Sequence, residues 1–226
     1  MKQIKVELQS VFGNDRQVAD AAWTSSIDYQ KKKERTEEDV KRIVNMLADL
    51  KHSVPFESII FRFWIKLPIV ADRQLMTHRL QSASGMSGRY RTMPNEFLEI
   101  PNDIQILIKK TDEEQFHNYE ELCVQANEWY HNILKFYKQC EVDNKITNKE
   151  YKRLREFFRG VLPQNNMTER VTIMNLRAFC NFIKLRLSEH AQPEIRQIAE
   201  MMLQSVKESN VCPIALEALE RNNWVI

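Results

Sequence analysis

The chain has 226 residues, a length suited to one domain that buries its own hydrophobic core. Its 33 Lys and Arg nearly balance 31 Asp and Glu, and this net charge of +2 with mixed signs does not indicate a nucleic-acid-binding protein. Four cysteines without a CxxC pair, a start unlike a signal peptide and no apolar run near about 18 residues argue against a zinc site, a disulfide framework and a membrane span. We therefore expect a single cytoplasmic domain over residues 1–226, without metal.

The first part of the chain alternates predicted strands and helices. Residues 3–12 alternate polar and apolar side chains, which predicts a half-buried strand, and residues 14–26 are predicted to be helical. Residues 36–50 begin with a capping box and continue with apolar residues at helical spacing. The proline-containing segment 52–57 ends that helix. Residues 59–68 then alternate again and predict a second strand.

Residues 73–94 concentrate groups that suit a phosphate or another oxyanion. They include four arginines, one histidine, several hydroxyls and two of the four glycines in the chain. Glycine permits tight turns and close ligand approach, while hydroxyls, backbone N–H groups and arginine forks bind anions. The pattern predicts a helix carrying Gln74, His78 and Arg79, then a tight polar loop from Ser82 to Arg89. The charge run alone leaves a solvated basic loop as the alternative.

Helix dominates the second half. Residues 103–109 are predicted to form a short strand, followed by a long amphipathic helix over residues 112–140. We interpret the apolar stripe of that helix as core or subunit interface rather than a cofactor site. Asn148 is predicted to cap a further helix that ends near Pro163. The sequence therefore predicts an α+β fold, mostly helical, with a small antiparallel or mixed sheet.

Residues 173–187 predict a helix with polar groups on both borders of its apolar arc. Asn175 and Arg186 fall on one flank, and Arg177 and Asn181 on the other, as expected for a helix between two ligands or two subunits. A border arginine can also extend its charge to water, and this alternative suffices for Arg177. It is weaker for Arg186, which stands between two leucines, because a semi-buried guanidinium needs an anion or a carbonyl partner.

Three separated motifs, in order over about residues 52–200, resemble those of the flavin-dependent thymidylate synthases. His78-Arg79, seven residues and Ser87 are similar to the family's Arg-His-Arg, seven residues, Ser. His52-Ser-Val-Pro-Phe-Glu57 resembles its His-x-Thr-Pro-Phe-Glu. The third region, similar to Arg-x-Val-Leu-Pro, Asn-x-Arg and Leu-Arg-x-x-x-His-Ala-Gln-x-Glu-Ile, comprises Arg159-Gly-Val-Leu-Pro163, Asn175-Leu-Arg177 and Leu185-Arg-Leu-Ser-Glu-His-Ala-Gln-Pro-Glu-Ile195.

The resemblance implies a fold, an assembly and an activity. The fold is that of the thymidylate synthase-complementing proteins, and the assembly is a homotetramer with active sites built between subunits. The implied reaction converts dUMP to dTMP, with 5,10-methylenetetrahydrofolate as the carbon donor. NADPH reduces a bound FAD, which then supplies the hydride.

The resemblance also assigns residues by matching position. His52 is placed on the folate side, and no metal is implied. Arg186 contacts the uracil ring and favours its ionised form, which makes it the catalytic residue; Ser87 and Arg89 lie at the phosphate. The implied dUMP-binding residues are Gln74, Ser87, Gly88, Arg89, Arg159 and Arg186. The implied FAD-binding residues are Thr77, His78, Arg79, Gly85, Asn175, Arg177 and Asn181.

The sequence departs from the family pattern at three places. Thr77 replaces the first arginine of Arg-His-Arg, Ser84-Gly85 replaces Asn-Glu, and Val54 replaces a threonine. Two alternatives therefore stay open: a divergent enzyme that makes another 5-substituted pyrimidine nucleotide, such as hydroxymethyl-dUMP, and a non-catalytic nucleotide-binding relative. Retention of the phosphate-site arginines and of Arg186 argues against the second. No cysteine lies in a motif, so uracil is expected to be activated by a fixed charge and not by thiolate attack.

Overall fold

The structure, a computed structural model, describes the backbone of residues 2–111 and 113–224 and their side chains except those of Tyr29 and residues 113–117. The fold is α+β, as predicted: the structure is 57% helical, and four strands form an antiparallel sheet. The helices are α1 Asp15–Trp23, α2 Tyr29–Lys33, α3 Glu37–Asp49, α4 Ile69–Leu75, α5 Asn102–Thr111, α6 Glu113–Val142, α7 Asn148–Phe158, α8 Leu176–Arg186, α9 Pro193–Ser209 and α10 Pro213–Arg221. The strands are β1 Lys5–Phe12, β2 Ile60–Pro68, β3 Ser82–Gly85 and β4 Met167–Asn175.

The chain forms two compact units that are interleaved in sequence. The sheet unit comprises Lys5–Ile65, Arg73–Ser84 and Arg170–Ile226, and the α6 unit comprises Met1–Ile4, Lys66–Asp72 and Gly85–Glu169. The expectation of a single domain over residues 1–226 stays a prediction.

The sheet unit is built on strands in the order β1-β2-β4-β3. Phe61 and Phe63 point from one face of β2 onto Phe179 of α8, with ring centroids 5.1 and 6.0 Å apart. The backbone N–H of Leu176 donates to the carbonyl of Ile59 at 2.8 Å, which fixes the start of α8 beside the start of β2. Helix α8 also packs against α9, which in turn covers β1. The core therefore holds α8 in place, and α8 carries several predicted site residues.

Side-chain caps define the helix starts that the sequence indicated. Thr36 forms a capping box with Asp39 at α3, and Asn14 caps α1 in the same way with Gln17. Buried Asp15 at the start of α1 accepts hydrogen bonds from the backbone N–H groups of Ile214 and Ala215, at 3.1 and 2.8 Å. Burial raises the pKa of Asp15, and these two hydrogen bonds oppose the shift. Asp15 thus caps α10 as well as starting α1.

The α6 unit has a small core of its own. Met93, Tyr130 and Leu134 are buried together, and the Tyr130 hydroxyl accepts from the Met93 backbone N–H at 3.2 Å. Asn127 and Asn166 are fully buried and exchange two amide hydrogen bonds, at 3.1 and 2.7 Å. Each buried amide therefore has a partner, as burial requires.

Several predicted elements need correction. Residues 103–109 are helical, within α5, and not a strand. Thr147, not Asn148, is the N-cap of α7, where it forms a capping box with Glu150. Ile173 belongs to strand β4 and not to the following helix.

The stripe predicted on the long helix is only partly buried. Cys123 is buried within the α6 unit, whereas Leu122, Trp129 and Phe136 are exposed. Phe116 lies outside the described side chains. The stripe was interpreted as core or subunit interface, and burial in the core applies to a minority of its described residues.

Candidate active site

The loop after α4 carries His78, contrary to the prediction that His78 and Arg79 continue the helix with Gln74. Helix α4 ends at Leu75, and the N–H of His78 donates to the Leu75 carbonyl in a turn, at 3.3 Å. The predicted polar loop is also different in its first half, because Ser82–Gly85 forms β3. A strand therefore fixes the far end of the His78 turn.

Gln81, which the sequence did not indicate, holds this turn in place. Its side-chain amide donates to the carbonyls of Leu75 and His78, at 2.6 and 2.9 Å. Its carbonyl oxygen accepts from the Thr172 hydroxyl of β4 at 2.5 Å. Both ends of one side chain thus connect the His78 turn to the sheet. The sequence feature that could have indicated this role is the set of polar residues in β4, among them Thr172, but these residues match no motif.

Arg186 and His78 form the central contact of the site. The Arg186 Nε donates to His78 Nε2 at 2.9 Å, and the ring of His78 lies edge-on against Phe182 with centroids 4.9 Å apart. Partial burial and, second, the nearby Arg186 charge lower the pKa of His78 to about 4. His78 is therefore neutral at pH 7, its Nε2 accepts, and the proton of the ring lies on Nδ1.

Arg186 keeps its positive charge uncompensated by a carboxylate within the described chain. Its hydrogen-bond partners there are His78 and, at 3.4 Å, the Thr77 hydroxyl. Thr77 itself donates to the Gln74 carbonyl at 2.8 Å. A neutral imidazole orients the guanidinium without cancelling its charge, so Arg186 remains available to a negative group.

These groups line a cavity of about 480 Å³ within the sheet unit, here called the His78 cavity. Predicted residues Thr77, His78, Arg79, Asn181 and Arg186 all line it. The remaining lining residues are Leu80, Gln81, Met174, Ala178, Phe182 and Leu185. An apolar wall with hydrogen-bond donors at its edge fits a planar ring edged with carbonyl and ring-nitrogen acceptors, and the flavin ring has this chemistry.

Asn175 and Arg177 occupy the start of α8. The Asn175 side chain caps the helix by accepting from the Ala178 N–H at 2.8 Å, which leaves its NH₂ group for another partner. Arg177 forms an ion pair with Glu57 of the second motif, 2.7 Å between Nη1 and Oε1. Asn181 lines the His78 cavity and also a second cavity on the other flank of α8. Asn181 thus borders the cavity of Arg186 as well as that of Arg177, whereas the sequence placed it on the flank of Arg177 alone. That this helix lies between two ligands or two subunits stays a prediction.

The predicted phosphate residues meet within the α6 unit. Ser87 opens a turn in which its carbonyl accepts from the N–H groups of Tyr90 and Arg91, at 3.0 and 3.1 Å. Gly88 is buried against Arg159, and a Cβ on Gly88 would lie 2.9 Å from Arg159 Cδ. A larger residue at this position would therefore require the Arg159 side chain to shift.

Arg89 is tied to helix α7. Its Nε forms an ion pair with Glu156 at 2.7 Å, and this hydrogen bond is the main cause of a lowered pKa of the Glu156 carboxyl. The Arg155 side chain donates to the Arg89 carbonyl. Arg159 has no ion-pair partner among the residues that the structure describes. One of the two arginines is thus held by a carboxylate, and the other is available for an anion.

The other predicted residues stand as follows. The side-chain amide of Gln74 donates to Gln192, the residue before α9, and Gln192 donates to Glu194 at 2.7 Å. His52 is exposed three residues after the end of α3, and Gly85 is exposed at the end of β3. No described residue contacts either one in a way that assigns a role.

Burial limits the reactivity of three of the four cysteines. Cys123, Cys180 and Cys212 are buried and Cys140 is half-buried, all as free thiols. Burial raises the pKa of Cys180 and raises that of Cys212 to about 12. Thiols with raised pKa values are poor nucleophiles at neutral pH. Among the side chains that the structure describes, no group of three or more His, Cys, Asp or Glu suits a metal ion.

A sequence model of the family described as "Thymidylate synthase complementing protein" matches residues 7–214. The chain belongs to this family. Among relatives of the thymidylate synthase complementing protein family, the flavin-dependent thymidylate synthase of Thermosipho melanesiensis is 32% identical over 221 residues, 97% of this chain and 91% of that protein. The flavin-dependent thymidylate synthase of Kosmotoga olearia is 33% identical over 220 residues, 94% of this chain and 88% of that protein.

A solved structure of the same architecture is that of the UMP/dUMP methylase PolB from Streptomyces cacaoi bound with 5-Br dUMP. It superposes with a TM-score of 0.78 at 25% identity and covers 99% of this chain and 97% of that one. The match confirms the predicted thymidylate synthase-complementing-protein fold. No helix of the described chain has the length and apolar character to cross a membrane.

Proposed function

We propose that the protein converts dUMP to dTMP, with 5,10-methylenetetrahydrofolate as carbon donor and NADPH as reductant of a bound FAD. Support comes from family membership, from relatives that are flavin-dependent thymidylate synthases and from a structural neighbour that is a UMP/dUMP methylase. When bound, FAD supplies the hydride that completes the methyl group. The protein supplies orientation, charge and a cavity.

The observation that carries the proposal is the Arg186–His78 contact. Carbon 5 of uracil becomes nucleophilic when negative charge develops on the ring. A guanidinium that is oriented by a neutral imidazole at 2.9 Å, without a carboxylate partner among the described residues, stabilises that charge without moving a proton. The buried cysteines agree with activation by charge rather than by covalent attack.

The substrate's phosphate is assigned to the α6 unit. Ser87, Gly88, Arg89 and Arg159 provide a turn with a hydroxyl, a close-packed glycine and two arginines, which is chemistry suited to a phosphate monoester. Gln74 is assigned to the nucleoside. In the proposed homotetramer the active sites are shared between subunits, so Arg186 and the phosphate residues that serve one dUMP need not belong to one chain.

FAD is assigned to the groups around α8 and the His78 turn. These are Thr77, His78, Arg79, Gly85, Asn175, Arg177 and Asn181, and His52 is assigned to the folate side. The neutral state of His78 leaves an Nδ1–H donor for a flavin carbonyl or ring nitrogen. Arg177 offers a charge to the diphosphate, at the expense of its contact with Glu57. We further propose that residues 1–226 act as one catalytic domain in the cytoplasm.

The test is a reaction of the purified protein with dUMP, 5,10-methylenetetrahydrofolate and NADPH, followed by mass analysis of the nucleotide. The expected product is dTMP, and the protein is expected to carry releasable FAD. UMP serves as the comparison substrate. Hydroxymethyl-dUMP as the only product would replace the proposed reaction, and a colourless protein that binds no FAD would refute it.

A further inference from the structure

The second cavity beside α8 has the chemistry of an anion site. It measures about 400 Å³ and lies within the sheet unit, on the flank of α8 away from His78. Three cationic side chains, of Lys51, Arg177 and Lys184, line it. Arg177 is paired with Glu57, which lies outside the described lining, and that lining itself contains no carboxylate. The other lining residues are Ser53, Cys180, Asn181, Asn222, Asn223 and Trp224. We call it the Lys184 cavity.

Lys51 stands at a backbone position that ordinarily favours another residue. It follows the last turn of α3 with a φ of 57°, and the next N–H, of His52, donates back to the Leu47 carbonyl at 2.9 Å. Glycine or asparagine is the usual residue at such a left-handed helix end, because a side chain there is strained. A lysine does not stabilise this backbone conformation, but it places a cationic side chain at the cavity.

Trp224 and Lys184 form the opposite side of the Lys184 cavity. The backbone N–H of Trp224 donates to the Leu219 carbonyl at 2.9 Å. The indole ring of Trp224 packs against Phe56, with ring centroids 5.8 Å apart, so both the backbone and the ring are held in place. The Lys184 ammonium donates to the Asn223 carbonyl at 2.5 Å. An ammonium has three donors, so two remain for a ligand.

Asn181 lines both cavities, so the two cavities lie next to each other at this residue of α8. A ligand that extends across Asn181, with a ring in the His78 cavity and a charged end in the Lys184 cavity, would match the chemistry of both linings. A dinucleotide has this form, with an aromatic base at each end and a diphosphate between them.

We propose that the Lys184 cavity binds the adenosine diphosphate end of FAD, with Lys51 and Lys184 at the diphosphate and Trp224 stacked on the adenine. This inference rests on the proposed use of FAD. Cations close to a diphosphate gain charge-assisted hydrogen bonds, and an indole offers a stacking surface to a purine. The geometry thus assigns three residues that belong to none of the recognised motifs.

The test compares the dissociation constants of FAD and riboflavin, measured by flavin fluorescence on the purified protein after its flavin has been removed. Riboflavin contains the flavin ring but lacks both phosphates and the adenosine. Variants of the Lys184 cavity are therefore expected to weaken FAD binding and to leave riboflavin binding close to that of the unchanged protein.

Lys51→Asn is the most informative variant. Asparagine tolerates the left-handed conformation, so the variant is expected to melt at the same or a higher temperature. Loss of the cation is nevertheless expected to raise the FAD dissociation constant about two- to fivefold. A lysine with only a structural role predicts unchanged FAD binding, and that result would remove Lys51 from the site.

Lys184→Gln and Trp224→Leu test the other side. Glutamine retains an N–H donor for the Asn223 carbonyl, and leucine retains an apolar contact with Phe56. Loss of base stacking in Trp224→Leu is expected to weaken FAD about 5- to 150-fold. Lys41→Ala, which removes an exposed lysine of α3 outside the cavity, is the matched control and should bind FAD normally.

The outcomes separate this inference from the proposed function. If the variants bind FAD as the unchanged protein does, or lose riboflavin and FAD equally, the Lys184 cavity does not hold the adenosine diphosphate end, although dTMP formation stands. If the unchanged protein binds neither flavin, the proposed function fails as well.

Discussion

Arg186 and His78 show how a single hydrogen bond can set the charge of a site. A carboxylate beside Arg186 would orient the guanidinium equally well, but it would also neutralise it. The neutral imidazole orients without neutralising, and burial, followed by the nearby guanidinium charge, lowers the pKa of the imidazole and keeps it neutral. The contact therefore leaves the positive charge of Arg186 uncancelled.

Arg186→Ala is expected to lose most turnover while the protein remains folded and holds flavin. Removing one preorganised charge contact typically costs about 2.7–4 kcal/mol, or a factor of about 100 to 1000 in kcat. Arg186→Lys should recover little, because an ammonium cannot reproduce the planar fork. The measurement is steady-state dTMP formation beside the flavin spectrum. A kcat near that of the unchanged protein would remove Arg186 from the catalytic role.

The pKa of His78 predicts a specific pH dependence of stability. Because the folded pKa is about 4 and the ordinary value is 6.5, the unfolded chain takes up this proton at a higher pH than the folded chain. The contribution of neutral His78 is fully present above pH 6.5, decreases as the pH falls, and levels off below about pH 4. Urea unfolding of the protein and of His78→Gln should show their stability difference shrinking over this window. A constant difference would contradict the assigned charge state.

At the scale of elements, α8 depends on Asn175 for its start. The cap places the first turn of the helix against Ile59 and fixes the rotation that presents Asn181 and Arg186. The same side chain is assigned to FAD through its free NH₂ group. Cap and cofactor roles use different atoms of one amide, so substitution can separate them.

Asn175→Ala is expected to lower the free energy of unfolding by about 1 kcal/mol, the usual effect of losing an N-cap. Asn175→Asp retains the oxygen that accepts from Ala178 and should retain that stability, but it lacks the NH₂ group and should bind FAD more weakly. Urea unfolding and flavin titration measure the two effects. Equal FAD binding by Asn175→Asp and the unchanged protein would leave Asn175 with the capping role alone.

The elements that the sequence predicted well are those whose signals are local. Thr36 with Asp39 marks a helix start by side-chain chemistry, and the alternation in residues 59–68 marks β2. Strand β4 was missed because its polarity is inverted. Its buried face carries Thr168, Arg170 and Thr172, whereas Ile173 is exposed. An alternating pattern predicts a strand reliably only when the apolar residues face the core.

Other misses have similar physical causes. Residues 103–109 alternate isoleucines with other residues, which is the pattern of a strand, yet they form α5. None of the residues of α5 is buried, so no buried face marks the helical spacing in the sequence. The motif around His78 was recognised, but its place outside α4 depends on Gln81 and Thr172, which are distant in sequence. Motif spacing thus indicated the candidate site residues, while long-range hydrogen bonds determine the backbone conformation that carries them.

At the scale of the molecule, the α6 unit leaves apolar side chains exposed on two adjacent helices. Ile106 and Leu107 on α5 and Leu122, Trp129 and Phe136 on α6 are more than 45% exposed. Patches of this kind commonly mark protein–protein contacts. They support the proposed homotetramer, whose active sites combine residues of different chains.

Mixing two inactive variants is expected to restore activity if sites are shared. Arg159→Ala removes a residue at the phosphate, and Arg186→Ala removes the charge at the uracil. In mixed tetramers some sites receive both native arginines from different chains, so partial turnover should return. The measurement is dTMP formation after subunit exchange, which differently tagged chains verify. Absence of activity in verified mixed tetramers would place both arginines of one site on a single chain.

The burial of three thiols gives the molecule its own reporter of unfolding. Cys123, Cys180 and Cys212 are enclosed by side chains, and only Cys140 is partly accessible. A maleimide should therefore modify one thiol per chain quickly and the others at the rate at which the protein opens. Mass spectrometry of a labelling time course would then separate opening of the α6 unit, through Cys123, from opening of the sheet unit, through Cys180 and Cys212. The pattern of labelled cysteines thus shows which of the two units opens first.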